Sequence, residues 1–314
     1  MYIKIIAINI WLIVHKIFYY RLFNKKKVTP INKPFKKINS DNKTIKLISS
    51  INNFLSNLDI EKEFNQKINY LPDKLKYRAD LYDLLNDDLK ARIYSYALFN
   101  KKIRSHNLKY FGFNPRIHKI ELLYNIPNKN LKEEGSKSWH RDLDCDFKNI
   151  KLFMPLKQIN SNNGPFFYLK DEKYNSRFKS LKTNFYTNDS WKKGRVSNKT
   201  INKYGKNIDS FLSLKIGDVL LIDTVNTYHK GGYCKSKPRL LLHISYQGSS
   251  WTSTPTQSFK REINFLLNQK IPKSNYIILT EEIQKFKKFK NDNPLMKYLK
   301  KIIYKLSNFF IFEI

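Results

Sequence analysis

One short stretch of the chain combines residue types at a spacing that invites chemistry: Ser138-Trp139-His140-Arg141-Asp142. An imidazole and a carboxylate stand two residues apart, and in an extended strand residues i and i+2 point to the same face. His140 and Asp142 are therefore expected to reach one metal ion together. A third ligand from elsewhere would complete two histidines and one carboxylate around an ion with open coordination positions, the donor set that suits non-haem Fe(II) in oxygen chemistry. With 6 histidines and 26 acidic residues in 314, such a spacing arises by chance about once in every two chains of this composition. The surroundings must decide.

Downstream, the rest of a site can be read. His229 lies 87 residues after Asp142, at the end of the strand-and-turn pattern IDTVNTYHKGG, and Arg239 follows ten residues later on the next expected strand. Two neutral imidazoles and a carboxylate would occupy one face of an octahedral iron and leave room for a bidentate 2-oxoacid and dioxygen. A guanidinium on the neighbouring strand would fork onto the far carboxylate of 2-oxoglutarate. Tyr124 and Asn125, at the end of the strand before the metal stretch, are further candidates to hydrogen-bond that co-substrate.

The stretch SWHRDLDCDFKNIKLFMPLKQINSNNGPFFYLKDEK, followed by GDVLLIDTVNTYHKGGYCKSKPRLLLHISYQ, resembles the phytanoyl-CoA dioxygenase family of Fe(II)/2-oxoglutarate oxygenases. The resemblance runs from about Ile117 to Gly248. It rests on WHRD, the KLF strand, the Asn-Gly-Pro-Phe turn, the Asp-Thr before the distal histidine and the Arg of the last core strand. It implies Fe(II) on His140, Asp142 and His229, the carboxylate of 2-oxoglutarate on Arg239, and hydroxylation of a small organic or acyl-type substrate with O2, giving succinate and CO2. The retained carboxylate of Asp142 points to hydroxylation and away from halogenation, since related halogenating enzymes carry a small residue there. The alternatives are a catalytically inactive jelly-roll binding or structural protein and a basic membrane-surface protein.

The other histidines have plainer readings. His118 and His243 fall on expected strands as satisfied core or surface side chains, although His243 shares a strand face with Arg239. His15, in the N-terminal apolar segment, and His106, in an expected loop, receive no role. Asp144 and Asp146 continue the alternation from Asp142 and are expected to leave the sheet at a turn. Cys145 and Cys234 are the only cysteines, too few for a disulfide framework and consistent with a reducing cytoplasm.

A formal charge of +33 invites a nucleic-acid reading. Only 10 of the 59 basic residues are Arg, the side chain favoured for reading bases and phosphates. The lysines are also spread along the whole chain, so no dedicated nucleic-acid surface is expected. A hydrophobic fraction of 41% with 22 Phe and 20 Tyr fills a sizeable core and excludes general disorder.

The elements that must position the site follow from pattern. Residues 1–27 form an apolar and basic segment whose uninterrupted apolar run, Ile10 to Val14, is short of the ~20 residues of a bilayer span. It is expected to dock on the domain, with membrane-surface contact or a span as alternatives. Residues 28–104 read as a linker, to about Asn42, followed by helices at Thr44 to Leu58 and Tyr82 to Phe99. Ser105 to Asn114 reads as a loop. The core, 105–258, is a run of short strands with turns at Asn160 to Pro165, Gly217-Asp218 and Gly231 to Pro238. Residues 171–210 are expected to be an insertion or lid. The tail, 259–314, is helical, and its basic apolar end (296–314) packs on the sheet or touches a membrane surface. The expected architecture is mainly β with flanking helices: a double-stranded β-helix, or cupin-like jelly roll.

Overall fold

A computed structural model describes residues 35–72, 76–111, 115–128, 135–142, 149–170, 195–196, 198–204 and 207–247. The first and last expected segments, 1–27 and 259–314, lie outside these residues. Among the described residues, no helix is long and apolar enough to cross a membrane.

Two antiparallel sheets face one another. The larger has the order β1 (Phe35–Ile38), β9 (Val219–Asp223), β5 (Asn149–Pro155), β11 (Arg239–Gln247), β3 (Arg116–Asn125) and β2 (Arg78–Asp80). The smaller has β7 (Arg195–Val196), β4 (Trp139–His140), β10 (His229–Gly231), β6 (Phe166–Leu169) and β8 (Ile208–Ser210). From β3 onward the chain passes repeatedly between the sheets, which wind into a double-stranded β-helix, the jelly roll expected from the sequence.

Strand alternation sorts the side chains into two layers. On β11, Leu240, Leu242, Ile244 and Tyr246 face a helical layer, where they join Ile51, Leu55, Ile93 and Tyr94 in one core. Leu241 joins Phe153, Phe166, Leu220 and Ile222 in a second core between the sheets. Arg239, His243 and Ser245 share the inward face with Leu241, so this strand carries its polar groups into the barrel.

The helices cover the outer face of the larger sheet. Asp41 caps α1 (Asn42–Ser56), its carboxylate accepting from the Thr44 backbone N–H at 2.8 Å. Asp59 likewise caps a further helix, α2 (Ile60–Ile68). Leu47, Ile48, Ile51 and Leu55 form the buried stripe of α1, each such side chain contributing about 1.5–3 kcal/mol when fully buried. The expected helix Tyr82 to Phe99 is divided. A 3-10 turn at Tyr82–Leu84 precedes α3 (Asp87–Phe99), because Asn86 turns its side chain onto the Leu89 N–H and restarts the helix as its cap.

Three expectations are corrected. Ser105 to Asn114 is not a loop through most of its length. α4 (Lys101–Phe111) runs through it, with Ile103, His106, Asn107, Tyr110 and Phe111 buried at helical spacing. Two of those five are polar, so an apolar count misses the stripe. The expected linker contributes β1, which pairs along Phe35↔Ile222 to Ile38↔Val219 at the sheet edge. In the expected lid, residues 195–196 and 208–210 are strands of the smaller sheet, with the helix α5 (Asn198–Tyr204) between them. Strands of two or three residues are too short for alternation to show. Residues 171–194 lie outside the described set.

Candidate metal centre

The site begins with how β4 and β10 are held. Trp139 is 2% exposed and packs with Leu169, Val196, Ile201 and Tyr228, so its neighbour His140 points to the opposite, inner face. His229 is the antiparallel partner of His140, which brings the two rings to 4.4 Å between centroids. Asp142 lies two residues past His140, and its backbone N–H donates to Thr224 O at 2.9 Å. Thr224 follows Asp223, a buried carboxylate that accepts from the backbone N–H groups of Val225 and Asn226 and from the hydroxyl of Tyr110 on α4. The Asp-Thr pair before the distal histidine thus ties the turn to the helical layer and places both Asp142 and His229.

The ligand atoms converge. His140 Nε2 and His229 Nε2 each lie 3.8 Å from Asp142 Oδ1, and one atom from each of the three residues falls within 4.8 Å of the others. His140 Nδ1 is 2.8 Å from Ser138 O and His229 Nδ1 is 3.0 Å from Thr227 O. A carbonyl only accepts, so each Nδ1 carries the hydrogen and each Nε2 turns a lone pair inward. Burial pushes His140 down to about 3, with the neighbouring His229 adding to the effect. Burial lowers His229 as well. Asp142 is held well below the usual carboxylate range: burial opposes its charge, but Lys151, His229 and His140 outweigh it. Neutral imidazoles and an ionised carboxylate are the protonation states a metal requires. The three residues can hold one metal ion.

Lys151, on β5, was not singled out by sequence. Its Nζ is 2.5 Å from Asp142 Oδ2, which leaves Oδ1 as the oxygen facing the imidazoles. The available signal was a lysine at an inward position of NIKLFMP, two residues from the buried Phe153. Phe153 in turn packs on Phe166 at 4.6 Å, and Phe166 stacks on His229 at 5.4 Å.

Arg239 opens β11 opposite Asn125. Its guanidinium donates to Gly164 O and, at 3.3 Å, to Asn125 Oδ1, while its buried Nε has no partner. Gly164 makes this possible. At φ +68 it takes a conformation that favours glycine, and a Cβ there would meet the Tyr233 carbonyl carbon at 2.4 Å. The turn therefore presses its backbone against the 232–234 segment and offers its carbonyl to Arg239. Tyr124 goes the other way. Its ring packs edge-on against Phe64 at 5.5 Å in the helical layer, so the structure brings Asn125 to Arg239 and does not bring Tyr124 to the site.

Elsewhere, His243 is buried on the inward face, 2.7 Å from Glu121 Oε2 through Nδ1 and stacked on Phe153. His118 is exposed and His106 buried within α4. Cys234 is buried near Asn163 O, and burial pushes its thiol up. His15, Asp144, Cys145 and Asp146 lie outside the described residues.

No protein-family model matches the chain, and no curated protein matches its sequence. Solved structures do resemble it. The epimerase SnoN in complex with Fe3+, alpha ketoglutarate and nogalamycin RO is 13% identical, with a TM-score of 0.45 over 68% of this chain and 79% of that one. EctD from S. alaskensis, in its apoform, is 15% identical, with a TM-score of 0.44 over 72% and 76%. A Pseudomonas putida prolyl-4-hydroxylase is 9% identical, with a TM-score of 0.39 over 70% and 95%. The chemistry of the site follows from its own residues: three side chains at β4 and β10 of the smaller sheet that can hold one metal ion, and a buried guanidinium on β11 of the larger sheet.

Proposed function

We propose that the protein is an Fe(II)/2-oxoglutarate-dependent oxygenase of the phytanoyl-CoA dioxygenase type. In this reading a substrate C–H, O2 and 2-oxoglutarate become C–OH, succinate and CO2, and the substrate is a small organic or acyl-type molecule. The observation that carries it is the convergence of His140, Asp142 and His229 with both Nδ1 atoms already committed to backbone carbonyls. Bound there, Fe(II) would supply dioxygen activation at its open positions. His140 and His229 hold neutral Nε2 lone pairs toward the metal position, and Lys151 steadies Asp142 so that Oδ1 faces it. Arg239, with Asn125 supporting one nitrogen, receives the far carboxylate of 2-oxoglutarate. The aromatic wall of Phe153 and Phe166 keeps water from the adjoining interior.

A scaffold that binds without metal would bury these polar groups at a cost and gain nothing from their convergence. The test is to incubate the iron-loaded chain with 2-oxoglutarate, oxygen and chloride and to follow products by mass. Slow succinate formation that Asp142→Ala abolishes is expected. A chlorinated product from the parent, or no turnover with any 2-oxoacid, would falsify the hydroxylase reading.

A further inference from the structure

A second buried cation lies beside Arg239 and has no role in the site described so far. Lys137, in the 3-10 turn Gly135–Lys137 just before β4, is 3% exposed. Its Nζ donates to Gly232 O at 2.7 Å and lies 4.7 Å from the ring centroid of Tyr77 and 5.2 Å from that of Tyr233. Gly231, two residues past the ligand His229, faces the same lysine: a Cβ built there would be 3.8 Å from Nζ. Lys137 is thus one strand step beyond the metal ligand, on the side where Gly232 meets the Gly164 turn that holds Arg239.

The charges do not balance. The groups acting electrostatically on Lys137 are Arg239, Cys234 and Arg78, and those acting on Arg239 are Cys234, Arg78 and Tyr77. Among the described residues no carboxylate stands with either cation. Glu121 is already taken by Arg78, Lys119 and His243. A single carbonyl oxygen and two ring faces are weak compensation for a buried ammonium, which is ordinarily paired with an anion.

We propose that Lys137 is a second anion-holding residue, which with Arg239 receives the far carboxylate of the co-substrate and makes its binding proton-linked. This rests on the oxygenase reading for the identity of the anion. Two buried cations with no carboxylate beside them among the described residues argue by themselves for an anion. Burial, with Arg239 and Arg78 adding to it and Cys234 opposing, pushes Lys137 down to about 7 in the free protein. The titratable and charged groups facing it are Arg239, Arg78, Cys234, Tyr77 and Tyr233. An arriving carboxylate favours the ammonium and raises that value. Below pH 7 the lysine is already charged and binding moves no proton. Above pH 7 binding takes one up, and affinity falls as pH rises.

The experiment is calorimetry on the full chain loaded with Ni(II), titrated with 2-oxoglutarate at pH 8 in two buffers of different ionisation enthalpy. The parent is expected to take up close to one proton. Lys137→Met should bind about ten- to hundredfold more weakly, the loss of one charge-assisted bond, and take up none, while Lys137→Arg restores much of the affinity without proton uptake. Unchanged affinity in Lys137→Met, or no proton uptake by the parent, overturns the proposal. The parent measurement stands even if the Met variant fails to fold. Glu133→Gln/Glu134→Gln should bind as the parent does; a tenfold gain would mean that these carboxylates already neutralise Lys137 and would also overturn it. Glutarate, which lacks the chelating 2-oxo group, separates this idea from the oxygenase reading. If metal-free parent binds glutarate and Lys137→Met loses it, the anion site stands even where iron chemistry fails. If the parent binds neither acid, both readings fall.

Discussion

Arg239→Met is the substitution whose consequence the structure allows to be worked through. The guanidinium spends one hydrogen bond on Gly164 O and one on Asn125 Oδ1, and its Nε remains unsatisfied in the barrel. Enough N–H groups remain for a two-pronged grip on a carboxylate. Charge-assisted bonds are worth ~1.5–3 kcal/mol each, so losing both should weaken 2-oxoglutarate by roughly two to four powers of ten at about 1.4 kcal/mol per decade. Arg239→Lys keeps a charge but not the fork and should fall between parent and Met. The substitution to Met also strands two acceptors, at about 1–3 kcal/mol each where they stay buried, so thermal unfolding should accompany the titration. Calorimetry of the Ni(II)-loaded chain gives the affinity, and a parallel metal titration should show no change. Unaltered 2-oxoglutarate affinity in a folded Arg239→Met protein would refute the assigned role.

His229→Ala should abolish tight Fe(II) binding while His243→Ala leaves it intact, because His229 turns Nε2 toward Asp142 Oδ1 whereas His243 is engaged with Glu121; the reverse pattern in a metal titration would show that the ligand set is wrong. His106, 1% exposed and pushed by burial down to about 4, must stay neutral to remain folded. Its folded value lies below its unfolded one, so the unfolded chain binds more protons between them and stability is lost as pH falls from about 6.5 toward 4, by up to about 3 kcal/mol. His106→Phe should flatten that part of a urea stability profile, and an identical slope would contradict it. Gly232→Ala should lower Tm and weaken 2-oxoglutarate together, because a Cβ there meets Pro165 O at 2.3 Å and must shift the backbone that anchors Lys137 and abuts the Arg239 turn. A variant as stable as the parent would show that this close approach is not needed.

The three residues that converge could be read in the sequence because their pattern is local. His140 and Asp142 sit two residues apart beside a strand, and His229 ends a strand-and-turn signal whose Asp223 and Thr224 prove to hold the turn. Arg239 was legible for the same reason, at the head of the next strand. What could not be read depends on which face of a strand is inside. Tyr124 and Asn125 are adjacent and cannot both look into the barrel; the helical layer claims Tyr124, and only the assembled sheet reveals this. Lys151 and Lys137 look like two more solvated lysines in a chain of +33; that Lys151 is half-buried against Asp142 and Lys137 buried is a product of the long-range packing of β5 and of the turn before β4. The same holds for β1, whose FKKI pattern is a strand only because β9 offers an unpaired edge, and for α4, whose buried stripe includes His106 and Asn107.

On the proposed reading, His140, Asp142 and His229 hold Fe(II) while leaving two adjacent positions for a 2-oxoacid. Anaerobic addition of Fe(II) and then 2-oxoglutarate to the full chain, followed by visible spectroscopy, tests it most directly, since bidentate co-substrate on iron gives a weak charge-transfer band. One Fe(II) per chain is expected, with a band that appears only with both components, is lost in His229→Ala, and needs more 2-oxoglutarate to form in Arg239→Met. Fe(II) binding with no such band, or a band that survives His229→Ala, would contradict it.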